Sequence, residues 1–277
     1  MSTANPLQNN SSRSNKELAR FWQRKNVQRA VIFLGLLALW QGYVWITGIS
    51  PMLFPGPVVV LQTLISETIR GKILAVTFST LLLLFQGLAI GAVLGTALAI
   101  LARISRFGQT LVEVLSAIFS PLPGVALLPL VMIWFGFSSI SIIIAVVHTT
   151  MWPIALNTDT GFGTINPTIL MVGRNLGLDK RRQVTDVMLP AALPSILTGI
   201  RSAWAFGWRT VVAAELVFGV AGSTAGLGWY INDSRYYLKT PNVFAGLIAI
   251  AILGIVLDSI FLLIEKRTVE KWGMKRS

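Results

Sequence analysis

Few residues of this 277-residue chain could do chemistry, and they stand far apart. The one histidine, His148, has no second histidine, no cysteine and no carboxylate at ligand spacing. Metal binding and thiol or paired-histidine catalysis therefore lack their groups, and a packed, hydrogen-bonded ring is the expected role. Arg209 and Glu215 lie in the otherwise apolar run Leu189 to Leu216, where an ionised side chain costs roughly 2.5 to 3.5 kcal/mol on insertion scales. Six positions apart, they are about 600° of helical rotation from one another, so they point to different sides and do not pair. Arg209, beside Trp208, is a candidate contact for an anion or one half of an ion pair with another subunit. Glu215 is a candidate structural partner across a subunit interface. Pro121, Pro123 and Pro129 interrupt another apolar run, and helix-breaking prolines are tolerated in lipid where protein or a water-filled cavity satisfies the freed backbone groups. These six residues form the candidate pathway set.

The elements that must position them are membrane spans. The composition is 54% hydrophobic and 12% charged, with a mean hydropathy of +0.70, far from that of a soluble globular domain. About 20 apolar residues cross a bilayer as a helix, and the pattern predicts six spans. They are Ala30 to Gly48, Ile73 to Ala102, Leu111 to Trp134, Ile140 to Asn157, Ala191 to Val220 and Val243 to Ile264. The break between the third and fourth is placed at Phe135 to Ser139, and Val58 to Arg70 reads as a short amphipathic segment. Gly87, Gly91 and Gly95 recur every fourth residue in the second span, a ridge that lets a neighbouring helix approach closely. Met1 to Asn15 reads as a disordered tail, Lys16 to Arg29 as a basic surface helix, and 267–277 as a second tail.

The net charge of +12 comes from short segments flanking the spans rather than from a basic stripe interleaved with aromatics, which argues for membrane orientation over nucleic-acid binding. Seventeen lysines and arginines fall on the side of both termini; only Arg70, Lys72, Arg235 and Lys239 fall on the other. That asymmetry predicts cytoplasmic termini and a cytoplasmic loop 158–190. Asp258 is expected at the cytoplasmic interface. The second polar loop, after the fifth span, is expected outside, either as a docking surface or as an interface anchor through Trp229, Tyr230, Tyr236 and Tyr237.

The cytoplasmic loop is not a featureless connector. Ile169, Val172 and Leu176, then Val184, Val187 and Met188, recur at helical spacing on either side of Gly177, with Asp179, Lys180, Arg181 and Arg182 between. Two short amphipathic helices hinged at a glycine fit this pattern. Gly177, nine residues, then "VMLP" ending at Leu189 and Pro190 resembles the EAA loop of ABC-importer permeases, although "MVG" at Met171 to Gly173 stands where Glu-Ala-Ala is usual. "SPLPGVALLPLVMIWFG" (Ser120 to Gly136) and "LPAALPSILTGIRSAWAFGWRTVVAAEL" (Leu189 to Leu216) resemble the third and fifth spans of the nitrate, sulfonate and taurine group of these permeases.

The resemblance implies an all-α integral membrane protein with the MetI-like fold of a type I importer. It would work as a permease subunit in a bacterial inner membrane, paired with a second permease copy, two cytoplasmic ATPase subunits and a periplasmic or lipid-anchored solute-binding protein. Gly177, Leu178, Asp179, Arg181, Arg182, Val187, Leu189 and Pro190 would couple it to the ATPase. The cargo would be a small anion such as a sulfonate, taurine, nitrate or bicarbonate, or alternatively an aromatic acid or thiamine precursor. ATP would be used by the partner, since no Gly-x4-Gly-Lys-[Ser/Thr] phosphate loop is present. A proton-coupled carrier using Arg209 and Glu215 would call for more spans or an inverted repeat. An intramembrane enzyme would need catalytic groups that the sequence lacks.

Overall fold

The structure, a computed structural model, describes residues 25–219 and 225–271. The expected N-terminal tail, the start of the surface helix and the end of the C-terminal tail lie outside the described residues. The helices run α1 Lys25–Thr47, α2 Pro57–Ile69, α3 Lys72–Ile104, α4 Arg106–Phe119, α5 Gly124–Phe135, α6 Ser139–Gly163 and α7 Pro167–Asn175. Then α8 Lys180–Arg182 passes through a π-helical stretch, Gln183–Met188, into α9 Leu189–Phe218, followed by α10 Leu227–Tyr236 and α11 Thr240–Lys271.

Local chemistry sets several of these boundaries. Pro57 starts α2 behind an extended Gly56, where a missing N–H costs nothing. Ser105 starts α4, its hydroxyl accepting from the Gly108 N–H at 2.9 Å. α1 is continuous from Lys25, so the basic segment just before Ala30 belongs to the first span's own helix. α6 runs six residues past the expected Asn157, and α11 reaches Lys271.

The third span is not the single helix expected over Leu111 to Trp134. α4 and α5 meet at 97° across a four-residue break. Pro121 and Pro123 fall inside that break, and Pro123 is held extended at φ −62°, ψ 128°. Two positions without an N–H in three residues leave the helical ladder nothing to continue on. Pro129, by contrast, sits within α5 and does not end it.

Among the described residues α1, α3, α6 and α11 are each long and apolar enough to cross a bilayer, and the bent pair α4–α5 passes the same test only as one unit, as a broken span or a re-entrant loop. α9 carries Arg201, Arg209 and Glu215 and so is less apolar, but its 30 residues span about 45 Å. α1 shows Phe33, Leu39 and Ile46 to the outside, as expected where lipid is the solvent.

The core is built around α6, clasped between α3 and α9. Apolar burial gives little drive to helix association in lipid, so close van der Waals fit matters most. Glycines provide it. A Cβ at Gly87 would lie 2.5 Å from Val146 Cγ1, one at Gly91 would strike the Thr150 side chain, and one at Gly95 the Met151 carbonyl. From the other side Gly207 of α9 meets Thr150 Cγ2, and Gly199 meets Pro153 O and Asn157. The ridge expected in α3 is therefore the seat of α6. Three ion pairs tie the periphery: Arg103 to Asp159 at 2.7 Å, and Arg201 of α9 to Asp258 at 3.4 Å and to Glu265 at 3.2 Å of α11. Asp258 is thus held by an arginine rather than standing alone at the interface.

Gly95→Ala should destabilise the protein by about 1–3 kcal/mol, because backbone on the facing helix cannot yield to the added methyl. Gly35→Ala, with nothing within 4 Å of its Cβ, should not lower stability. Thermal melts in one detergent compare the two directly.

Candidate functional site

The turn between α7 and α8 is built from short-range hydrogen bonds. The Asn166 side chain caps α7 by accepting from the Thr168 N–H at 2.9 Å. α7 ends as the Gly177 N–H donates to Arg174 O at 2.9 Å and the Leu178 N–H to Gly173 O at 3.0 Å. Gly177 has φ +81°, a left-handed conformation that costs a residue with a Cβ roughly 1–2 kcal/mol. Asp179 then caps α8, its Oδ1 accepting from the Arg182 N–H at 2.9 Å. Gln183 Nε2 donates to Leu170 O at 3.0 Å and closes the two arms on each other. The hinge at Gly177 is the one the spacing predicts.

The two apolar sets flanking it do different things. Ile169, Met171, Val172 and Leu176 are exposed, and so are Arg174, Lys180, Arg181 and Arg182. Val184 and Met188 are buried with Ala99, Phe162, Ile165 and Ala192, and Leu189 packs against that cluster. Of the expected coupling residues, Gly177, Asp179, Arg181 and Arg182 face outward. Leu178, Val187, Leu189 and Pro190 are half-buried and belong mainly to the chain's own packing; the π-helical stretch that begins at Gln183 turns this part of the helix inward. At the departure from the usual loop pattern, Met171 and Val172 are exposed and Gly173 is buried, its Cβ position 3.4 Å from Leu178 Cδ1.

The second site is a cleft of about 420 Å³ between the proline bend, α6 and α9. Ser120 to Val125 form one wall; Thr149, Trp152 and Pro153 come from α6, and Phe206, Arg209, Thr210 and Ala213 from α9. The bend sits hard against α6, since a Cβ at Gly124 would lie 2.7 Å from Ala145 O. Thr149 donates to Ala145 O at 2.9 Å and Thr210 to Thr149 at 3.3 Å, so both hydroxyls are oriented. The lining contains one cation, Arg209, and no carboxylate. Among the described residues Arg209 has no ion-pair partner; its guanidinium lies 6.0 Å from the Phe206 ring. A cation facing a mostly apolar cleft without a counter-ion is equipped to take an anion by charge-assisted hydrogen bonds.

Pro121, Pro123 and Arg209 are therefore brought together, and three other expected pathway residues are not. Trp208 is 8% exposed and packs against Trp204 with ring centroids 5.5 Å apart and tilted by 30°, close to Gly254 of α11. Successive helical residues are about 100° apart, so with Arg209 toward the cleft its neighbour turns into the core. Pro129 lies farther along α5, outside the cleft lining. Glu215 is 2% exposed and bonded within its own chain, accepting from Thr80 Oγ1 at 2.9 Å and from the Gly228 N–H at 2.9 Å. It is neither in the cleft nor at a subunit interface. Phe206 and Ala213 could have been found from the sequence, being three before and four after Arg209 on one helical face. Thr149 and Trp152 come from another helix and carry no such signal.

His148 is packed edge-on to Phe119 and Trp152, whose rings are stacked 6.4 Å apart, but neither of its buried ring nitrogens has a hydrogen-bond partner among the described residues, so only the packing half of the expected role is met. Among the described residues no group of histidines and carboxylates could hold a metal ion. At the end of α10 Tyr236 and Tyr237 are exposed, whereas Tyr230 is fully buried and so is no interface anchor.

Comparison with known proteins gives a consistent match. Residues 87–270 match the family model described as "Binding-protein-dependent transport system inner membrane component". The chain is 31% identical over 251 residues to the putative aliphatic sulfonates transport permease SsuC of Bacillus subtilis, covering 91% of this chain and 88% of that protein. It is 30% identical to the taurine transport system permease TauC of Escherichia coli, covering 80% and 82%. It is 28% identical to the nitrate import permease NrtB of Synechocystis, covering 93% and 94%. Among solved structures, a chain of the inward-facing MetNI methionine ABC transporter superposes with a TM-score of 0.60 at 18% identity, covering 76% of this chain and 99% of that one.

Gly177→Val should loosen the turn, seen as faster amide exchange over residues 167–190 with the membrane helices unchanged. Gly177→Asn should do far less, because asparagine tolerates positive φ. Equal exchange in both variants would mean that the left-handed glycine does not hold the turn.

Proposed function

The chain belongs to the family of binding-protein-dependent transport system inner membrane components, and on that premise we propose that two copies frame the membrane pathway of an importer for small organic anions, with Arg209 as a contact on the way. The family makes it a transport subunit of the membrane rather than an enzyme, so ATP is hydrolysed by a partner. The observation that carries the anion reading is Arg209 without a carboxylate partner in a cleft of about 420 Å³. Walls of proline, leucine, valine, phenylalanine and alanine suit an organic tail behind a charged head, and the sulfonate and taurine relatives favour a sulfonate. One arginine per copy keeps binding weak enough to release, which passage requires.

The cytoplasmic turn is the ATPase contact in this reading. Its exposed Ile169, Val172 and Leu176 would pack in a groove of the partner while Arg174, Arg181 and Arg182 meet an acidic rim. Closure of the ATPase pair on ATP would then move the turn and re-orient the spans as a rigid-body switch. The exposed Tyr236 and Tyr237 lie where a solute-binding protein would dock.

Two measurements test this. Arg209→Gln should lose at least ten-fold in uptake while the complex assembles and hydrolyses ATP, and Arg209→Lys should keep part of it because charge is retained; full uptake by Arg209→Gln removes the role, and failure to assemble makes Arg209 an inter-subunit ion-pair residue instead. The chain has no native cysteine, so Thr185→Cys should resist an impermeant thiol reagent in intact cells while Tyr236→Cys reacts. Labelling at position 185 from outside would overturn the cytoplasmic placement of the turn.

A further inference from the structure

The Glu215 carboxyl group is buried and unused by the transport chemistry above, yet the surrounding sequence is shaped to receive it. It sits on α9 and accepts the Gly228 N–H at the first turn of α10 at 2.9 Å. Thr80 Oγ1 of α3 lies 3.0 and 2.9 Å from its two oxygens and 3.1 Å from Val76 O, with one proton to donate among them, and it accepts the Leu227 N–H at 2.8 Å. α10 therefore has no side-chain cap of its own; its N-terminal donors are taken by two other helices. A carboxylate at a helix N-terminus is favoured by both the free N–H groups and the dipole. Two glycines make room for it. A Cβ at Gly226 would collide with the carboxylate, and one at Gly228 would lie 2.5 Å from Val212 O and 2.6 Å from Glu215 Cβ.

α10 is tied again at its middle. Tyr230, fully buried, donates to Glu67 of α2 at 3.4 Å and accepts from Asn242 of α11 at 2.9 Å. Past that point its end is exposed at Tyr236 and Tyr237. Arg209 lies six residues before Glu215 on α9, about 9 Å along the same helix axis.

We propose that Glu215 is a positioning residue that couples external helix α10 to α9, so that a partner seated on Tyr236 and Tyr237 acts on the Arg209 cleft through this carboxylate. The inference rests on the importer reading. It predicts a specific split between docking and coupling, because the bond joins an outer helix to the pathway helix without touching the ATPase turn.

The test uses the assembled complex in lipid nanodiscs, with its ATPase and its substrate-loaded binding protein, reading the ratio of stimulated to basal ATP hydrolysis and the affinity for the binding protein. Glu215→Ala should cut that ratio at least five-fold while the binding-protein affinity stays within two-fold. Glu215→Gln, which keeps an acceptor for the Gly228 N–H, should restore most of it. Should Glu215→Ala not assemble, Thr80→Val is read instead, with the same split expected. A ratio unchanged in the alanine or valine variant overturns the proposal, as does glutamine failing to rescue. A wild-type complex that does not respond to the binding protein overturns the importer reading, and the proposal falls with it.

Discussion

Backbone-close packing on both sides of α6 is the constraint on which the rest of the molecule depends. In lipid a helix gains little from hiding apolar side chains, so it must gain from contact density. Gly87, Gly91 and Gly95 on one neighbour and Gly199 and Gly207 on the other let two helices approach α6 to within reach of its backbone. With α6 fixed, the remaining features take their places. Gly124 brings the proline bend against Ala145, Thr149 and Trp152 come to face Arg209, and Asp159 near the end of α6 meets Arg103.

The cleft follows from an interruption rather than from an addition. A continuous third span would pack along α6 and fill the space beside Arg209. The 97° bend between α4 and α5 turns the chain away and leaves a hollow whose wall is largely side chains unable to donate hydrogen bonds. The single cation there has no carboxylate beside it, and a passing anion is a natural partner for it. Arg201, one face round the same helix, is neutralised by Asp258 and Glu265, which is why it plays no part in the cleft.

Much of this was legible in the sequence because periodicity in lipid is simple to read. The glycine ridge, the turn at Gly177, the break near Gly136 and the limits of α2 and α3 all follow from residue type and spacing. What escaped was set by contacts between distant segments. Glu215 reads as a pathway or interface residue because nothing local reveals that Thr80 and Gly228 will meet it. Trp208 reads as a wall beside Arg209 because adjacency in sequence is easily taken for adjacency in space. Leu189 turns toward the cluster of Phe162 and Ile165, a direction that the spacing of an amphipathic stretch does not give, since it fixes the period but not which way the apolar face points.

One continuous segment, Lys180 through the π-helical stretch to Phe218, has a mechanical consequence. It carries the outward arginines of the turn at one end and the cleft's Arg209 further along, and it rests on α6 where Gly199 touches Pro153 and Asn157. A rod seated at Gly199 is a lever with arms of roughly 26 Å to Arg182 and 15 Å to Arg209, at 1.5 Å per residue. A displacement of about 3 Å at the cytoplasmic end becomes a little under 2 Å, in the opposite sense, at the guanidinium. That is enough to break a hydrogen bond to a bound anion, and it also shifts Gly207, on the same arm, against Thr150 of α6.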